Sequence, residues 1–207
     1  MQEKELSTLQ VILITGKNEF LEKGYSGASL RNIAREAGVT TGAFYGYFKS
    51  KAELFDALVA EPYSEFLAIY NGAQKAFADQ PYEKQAVSVG EISGECMVEL
   101  LDYAYDHMDA FKLILCCSEG TKYERLIDDM VDIEVKATHD YIKVLRSMGK
   151  SVPNIDPVLE HILITGMFNA FFEMIIHEMP RADAQEYLKE MRAFYTAGWF
   201  KIMGLEM

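Results

Sequence analysis

The sequence predicts an all-α fold, on three observations. Apolar residues recur at helical spacing along nearly the whole chain, alternating apolar and polar runs of strand length are absent, and the Gly- and Pro-containing breaks fall between the helical stretches. The expected architecture is an N-terminal three-helix bundle with a helix-turn-helix, followed by a larger helical domain, about nine helices in total. We place the boundary at residue 60, giving domains 1–60 and 61–207. With 207 residues, half of them hydrophobic and a quarter charged, the chain has the composition of a folded domain pair rather than of a disordered segment.

The first helix is expected from about Ser7 to Lys23, with Leu9, Ile12, Leu13, Gly16 and Phe20 on one face and Gly24 as its stop. The second, Leu30 to Ala37, presents Leu30, Ile33, Ala34 and Ala37 inward, with the Ser29 hydroxyl as its cap. Gly38 supplies the left-handed residue of a tight turn. A short helix from about Thr41 to Tyr47 comes next. Ser50-Lys51-Ala52-Glu53 has the form of a capping box and opens a fourth helix through Leu54, Phe55 and Leu58. Pro62 is expected to kink or end that helix. Helical patterns resume at about 85–107, 110–118, 123–148, 156–177 and 182–204, with 149–157 as the clearest loop.

Leu30 to Phe48 therefore reads as helix, three-residue turn and second helix, the sequence form of a helix-turn-helix. Thr40, Thr41, Tyr45 and Tyr47 put hydroxyls on the outer surface of the second helix, while Phe44 and Phe48, four apart, face inward. Outward hydroxyls, free N–H groups at a helix start, and Lys49 and Lys51 just beyond are groups that bind DNA phosphates. A net charge of −12 argues against nucleic acid, yet residues 1–60 hold seven basic and seven acidic side chains, so the excess lies wholly in 61–207. A face of 61–207 touching DNA would meet electrostatic cost.

The stretch from Ile12 to Leu58, containing EKGYSGASLRNIAREAGVTTGAFYGYFKSKAELF, resembles the DNA-binding domain of the tetracycline-repressor (TetR) family of transcriptional regulators. The resemblance implies a homodimer bound to double-stranded operator DNA, released by a small-molecule effector held in the C-terminal domain; a reducing cytoplasm is expected separately, from three cysteines that form no paired framework and the lack of a leader pattern. It implies that Ser29 contacts phosphate, that Thr41 and Gly42 sit at the groove floor, and that Tyr45, Tyr47 and Lys51 clamp phosphates. Two positions depart from the family pattern. Gly46 stands where members often carry a basic or larger side chain, and Gly16 where Ala is usual, which suggests close backbone packing or a weaker helix. The other reading is an all-α adaptor or ligand-binding protein with weak or lost DNA affinity.

In the second half, the helix 156–177 is apolar around most of its circumference and the last helix is similarly broad. The resemblance implies that these two pair with their copies, with Ile162, Gly166, Ala170, Phe171, Phe194 and Trp199 at the interface; one large monomeric core is the alternative. Candidate cavity residues are Met97, Leu101, Tyr105, Phe111, Tyr123, Tyr141, Phe168 and Phe172, with His139 or Asn169 as polar contacts. Cys116 and Cys117 read as packing residues, with redox or metal sensing as the alternative.

No metal or cofactor site is expected. His161 and His177, sixteen residues apart, lie roughly 24 Å apart along a helix, although Glu173 and His177 are spaced to pair. An enzyme is not expected either, since no nucleophile-base set, phosphate loop or H-E-x-x-H motif is present. Met1 to Ser7 carries no basic-then-apolar leader pattern, and Ile162 to Ile176 is interrupted by Thr165, Asn169 and Glu173, so no membrane partner is expected.

Overall fold

A computed structural model describes residues 6–205, without the side chains of 86–91; the first five residues of the segment read for a leader lie outside it. Among the described residues there are nine α-helices and one 3-10 turn. They are α1 (Thr8–Gly27), α2 (Leu30–Glu36), α3 (Thr41–Tyr47), α4 (Lys51–Ala78), α5 (Tyr82–Asp106), α6 (Met108–Cys117), the 3-10 turn Lys122–Arg125, α7 (Leu126–Ser147), α8 (Pro157–Ile176) and α9 (Arg181–Met203). The fold is all-α, as the periodicity predicts.

Contacts gather these helices into two compact units, 1–64 with 107–124, and 65–106 with 125–207. The segment 107–124 thus packs with the first unit, which a boundary drawn along the chain at residue 60 does not anticipate. Two polar links hold it there. Lys17 on α1 donates to Asp109 at 2.5 Å, and Asp56 on α4 accepts from Lys122 at 2.7 Å and from the Tyr123 hydroxyl. Hydrogen bonds from Lys122 and then Tyr123 hold the Asp56 carboxyl below its usual range.

In the first unit Ile12, Phe20, Ile33, Phe44, Leu54, Phe55 and Val59 are buried, and Phe20 meets Phe55 edge-on at 5.0 Å. Ser7 caps α1 with the reciprocal Gln10 contact, and the helix path breaks at Gly24, whose φ of 67° only glycine adopts cheaply. The Ser29 hydroxyl makes no capping bond, contrary to the expectation; the Ser29 N–H is instead drawn to the Glu19 carboxylate at 3.1 Å. The Ser50 hydroxyl does accept from Glu53 N–H at 3.1 Å.

Pro62 lies inside α4 and does not end it. One lost backbone bond is offset because the apolar face continues across the proline, from Leu54, Phe55 and Val59 to Phe66 and Tyr70, all buried. In the second unit the core is built from Phe66, Leu100, Leu101, Met130, Val131, Phe168, Phe171, Phe172 and Leu188. Helix α8 is long and apolar enough by composition to cross a membrane, a length the interruptions at Thr165, Asn169 and Glu173 led us to discount. Its residues Ile164, Phe168, Phe171, Phe172, Met174 and Ile175 are buried within the unit.

Candidate DNA-binding surface and ligand cavity

The helix-turn-helix is set by side chains on both sides of the turn. Gly38 takes φ 68°, and the Thr40 hydroxyl caps α3 by accepting from Ala43 N–H at 3.1 Å. Phe44 is fully buried and Phe48 nearly so, with ring centroids 6.1 Å apart. That pair fixes the rotation of α3, so Thr41, Gly42, Tyr45 and Tyr47 are exposed on its opposite side. Ser29 and Lys49 are exposed beside them.

Lys51 is placed differently from the expectation of a phosphate clamp. Its ammonium donates to the Ser26 and Ala28 carbonyls, both at 3.1 Å, and lies 4.8 Å from the centre of the Tyr25 ring. The Ser26 carbonyl ends α1 and the Ala28 carbonyl lies in the link to α2, where terminal carbonyls need partners from outside the helix, so Lys51 serves as an internal clip. Sequence reasoning also missed Glu19. Its buried carboxylate accepts from Lys23 at 3.0 Å, from Asn32 at 2.6 Å and from Ser29 N–H at 3.1 Å. Burial alone would raise this carboxyl, but the three donors outweigh it and hold it below the ordinary range. The Glu19–Lys23 spacing of four was visible in the sequence; the reach to Asn32 was not.

The second unit encloses a cavity of about 160 Å³ among α4, α5, α7, α8 and α9. Most of its wall is apolar or aromatic, including Phe77, Met97, Tyr141, Met167, Met191 and Trp199. Glu134 is its carboxylate. The Tyr70 hydroxyl and the Gln74 amide, the latter at 2.7 Å, both donate to Glu134 Oε2. Burial pushes the Glu134 carboxyl up, against the opposing pull of those two hydrogen bonds. Burial pushes the Cys96 thiol on the same wall up to about 12, with Glu99 and Glu134 adding to the effect.

Of the ten residues expected at a cavity, Met97 and Tyr141 line it. Leu101, Phe168 and Phe172 are fully buried in packed core. Phe111 and Tyr123 belong to the first unit. The Tyr105 hydroxyl is taken up by the backbone, donating to the Met179 carbonyl at 2.6 Å at the end of α8. His139 pairs with buried Glu160 at 2.8 Å, and Asn169 is exposed and bonded to the Thr165 carbonyl. Tyr70, Gln74 and Glu134 were not foreseen, although Glu134, Thr138 and Tyr141 recur at the i, i+4, i+7 spacing of one face of α7. The cue was obscured because a carboxylate on an acidic helix reads as surface.

Among residues expected at a copy-to-copy interface, Ile162 is 58% exposed, Phe194 is 73% exposed, and Gly166 is exposed; Phe171 is fully buried. Phe171 therefore belongs to the unit's own core, edge-on to Phe172 at 5.1 Å. Ala170 is half-buried, and Trp199 is half-buried on the cavity wall. Val158, Leu159 and Tyr187 extend the exposed apolar surface of α8 and α9. Glu173 and His177 do pair, at 2.8 Å. Among the described residues no cluster of His, Cys, Asp or Glu is arranged to hold a metal ion. The cysteines divide: Cys96 and Cys117 are buried, and Cys116 is exposed, which does not fit a packing role for it.

The sequence profile described as "Bacterial regulatory proteins, tetR family" matches residues 12–58, from the second turn of α1 into α4. Through this segment the chain is similar to the DNA-binding part of that family. It is 26% identical over 110 residues to the probable HTH-type transcriptional regulator YttP of Bacillus subtilis, covering 53% of this chain and 50% of that protein. It is 43% identical over 56 residues to the transposon Tn10 TetC protein of Escherichia coli, covering 27% and 28%. The chain thus spans about half the length of these curated relatives, or less. Among solved structures, the TetR family regulator PfmR of Thermus thermophilus matches 98% of this chain and all of its own, at 19% identity and a TM-score of 0.54. A TetR family member from Streptomyces coelicolor matches 93% of this chain and 92% of its own, at 16% identity and a TM-score of 0.57. The TetR-like fold thus extends over nearly the whole chain.

The two glycines that depart from the TetR pattern have opposite surroundings. A Cβ on Gly46 would meet nothing within 4 Å, whereas one on Gly16 would come within 2.8 Å of a Leu54 methyl in the buried core. Gly46→Ala is expected to stabilise the protein by about 1 kcal/mol through helix propensity. Gly16→Ala gains the same propensity but overpacks Leu54 at a cost of roughly 1–3 kcal/mol, and is expected to lower stability. Urea midpoints of the two variants check this; equal shifts in one direction would show that packing at Gly16 is slack.

Proposed function

We propose that this chain is a ligand-responsive transcriptional regulator, a cytoplasmic repressor that holds a pseudo-palindromic operator as a homodimer and is released by a small molecule. The observation that carries this reading is the exposed face of α3, where Thr41, Gly42, Tyr45 and Tyr47 stand clear of a helix pinned from behind by Phe44. Residues 1–60 bind DNA in this reading, and 61–207 take the effector and dimerise. Thr41 and Gly42 meet base edges, while Ser29, Tyr45, Tyr47 and Lys49 hold phosphates.

Sequencing double-stranded fragments retained by the purified protein, then titrating them by fluorescence anisotropy at several salt concentrations, tests the proposal. Affinity should fall as salt rises, because phosphate contacts release counterions. Lys49→Ala should weaken all fragments about equally and reduce the salt slope by about 1, whereas Thr41→Ala should change the order of preference among fragments. Identical behaviour of the two variants would remove the division into phosphate contact and reader.

Regulation in this reading acts through α4, a continuous helix with buried residues in both compact units. Half-sites recur at about 34 Å, so a few ångströms of change in recognition-helix separation would lose the site. By linkage, operator DNA must weaken the effector by the factor by which the effector weakens DNA.

A further inference from the structure

We propose that the cavity of the second unit takes a small aromatic or otherwise apolar organic cation, with its ammonium on Glu134. This rests on the reading of that cavity as the effector site and names the effector's chemical class. The wall is mostly apolar and aromatic and offers one carboxylate, and both hydrogen bonds from Tyr70 and Gln74 fall on its Oε2. Among the described residues none donates to Oε1. A cationic nitrogen would pair with the open Oε1, and the aromatic side chains of Phe77, Tyr141 and Trp199 line the same cavity.

A second polar group on the same wall lacks a partner. The Tyr141 hydroxyl is buried on the cavity wall and bonded to nothing among the described residues, although its residue is only 6% exposed. An unpaired buried hydroxyl costs free energy that a ligand's hydrogen-bonding group recovers. Glu134 and Tyr141 lie seven residues apart on one face of α7, so both belong to one side of the cavity wall. A volume of about 160 Å³ limits the occupant to about one ring with a short chain.

Arg192 also borders the cavity, and an anion would have to bind there. Its guanidinium lies directly over the Gly94 backbone, where a Cβ would fall 1.4 Å from Nη2. It also borders a more open groove with Glu95, Glu99, Asp102 and Asp106, the last two of which hold Arg181. Glu134 has no comparable cation among its hydrogen-bond partners.

The chain has a single tryptophan, Trp199, on the cavity wall, so ligand entry is readable without DNA. The 207-residue chain would be titrated at neutral pH with 2-phenylethylamine, 2-phenylethanol and 3-phenylpropionate, following Trp199 fluorescence. The amine is expected to bind at least tenfold tighter than the alcohol, and the propionate weakest. Glu134→Gln, which can still accept from Tyr70 and Gln74, should abolish the amine's advantage and leave the alcohol's affinity unchanged. A propionate that binds tightest, or an amine preference that survives Glu134→Gln, overturns the cation assignment while leaving the effector cavity standing. Silence from all three probes overturns the cavity reading itself. A Glu134→Gln protein with a lowered melting temperature and an unchanged amine preference would show that Glu134 is structural.

Discussion

Ile162→Glu combined with Phe194→Glu is expected to convert the protein into a 23.5 kDa monomer and to reduce operator affinity by about 100-fold or more. Both side chains are large, apolar and mostly exposed, on neighbouring helices where Gly166 approaches the Tyr195 hydroxyl. Two carboxylates in that patch cannot be buried against a second copy without partners. The loss of DNA affinity follows from losing the second half-site, since joining two weak contacts through a dimer raises avidity without any new contact. Light scattering and anisotropy measured on the same sample check it. A monomer that still binds tightly, or a double variant that stays dimeric, would count against α8 and α9 as the interface. The neighbouring Phe171→Glu is no substitute test: Phe171 is fully buried, so a charge there breaks the fold of the unit itself.

The second large effect is expected at Glu19. Glu19→Ala removes the acceptor shared by Lys23, Asn32 and the Ser29 N–H, and should cost about 3 kcal/mol, since hydrogen bonds to a charged group contribute the most and, while the half-exposed Lys23 can turn to water, Asn32 and the Ser29 N–H are left unanswered. In a chain of this size that is roughly a 10 °C fall in melting temperature. Operator affinity should fall with it, because Glu19 fixes the start of α2 against α1. The pH dependence has a definite sign. The Glu19 carboxyl is held below its ordinary value in the folded protein, so its contribution is present above the unfolded carboxylate pKa and is lost as pH falls through the folded one. Thermal melts between neutral pH and pH 3 should therefore converge for wild type and Glu19→Ala. Parallel curves would place the stabilisation elsewhere.

The helices were legible in the sequence because their cues are local: Gly24 and Gly38 break the path where the turns need a left-handed residue, and Ser50 with Glu53 opens α4. The exposed face of α3 was legible for the same reason, since four-residue spacing sends Phe44 and Phe48 inward and the hydroxyls outward. Pro62 misled because the fate of a proline in a helix depends on what packs against its neighbours, here Val59 and Phe66. The packing of 107–124 with the N-terminal helices rests on contacts such as Lys17–Asp109, ninety-two residues apart, which no periodicity encodes. Cavity residues were the hardest to read. Spacing tells which side chains point inward, so Leu101, Phe168 and Met97 look alike, but it does not tell where the interior is filled and where it is hollow. On α8, apolar nearly all round, the same pattern could not separate buried Phe171 from exposed Ile162.

The unequal burial of the three thiols makes the protein chemically single-handled. Burial raises the Cys96 and Cys117 thiols, which leaves little of either as the nucleophilic thiolate, while Cys116 stands in solvent in the first unit. A thiol-directed spin label or fluorophore added to the wild-type chain would therefore settle on one site per copy, with no cysteine engineered in or out. In a two-fold assembly that gives one label pair and one distance. Operator and effector could each be read as a change in that ruler, in the native sequence and in solution.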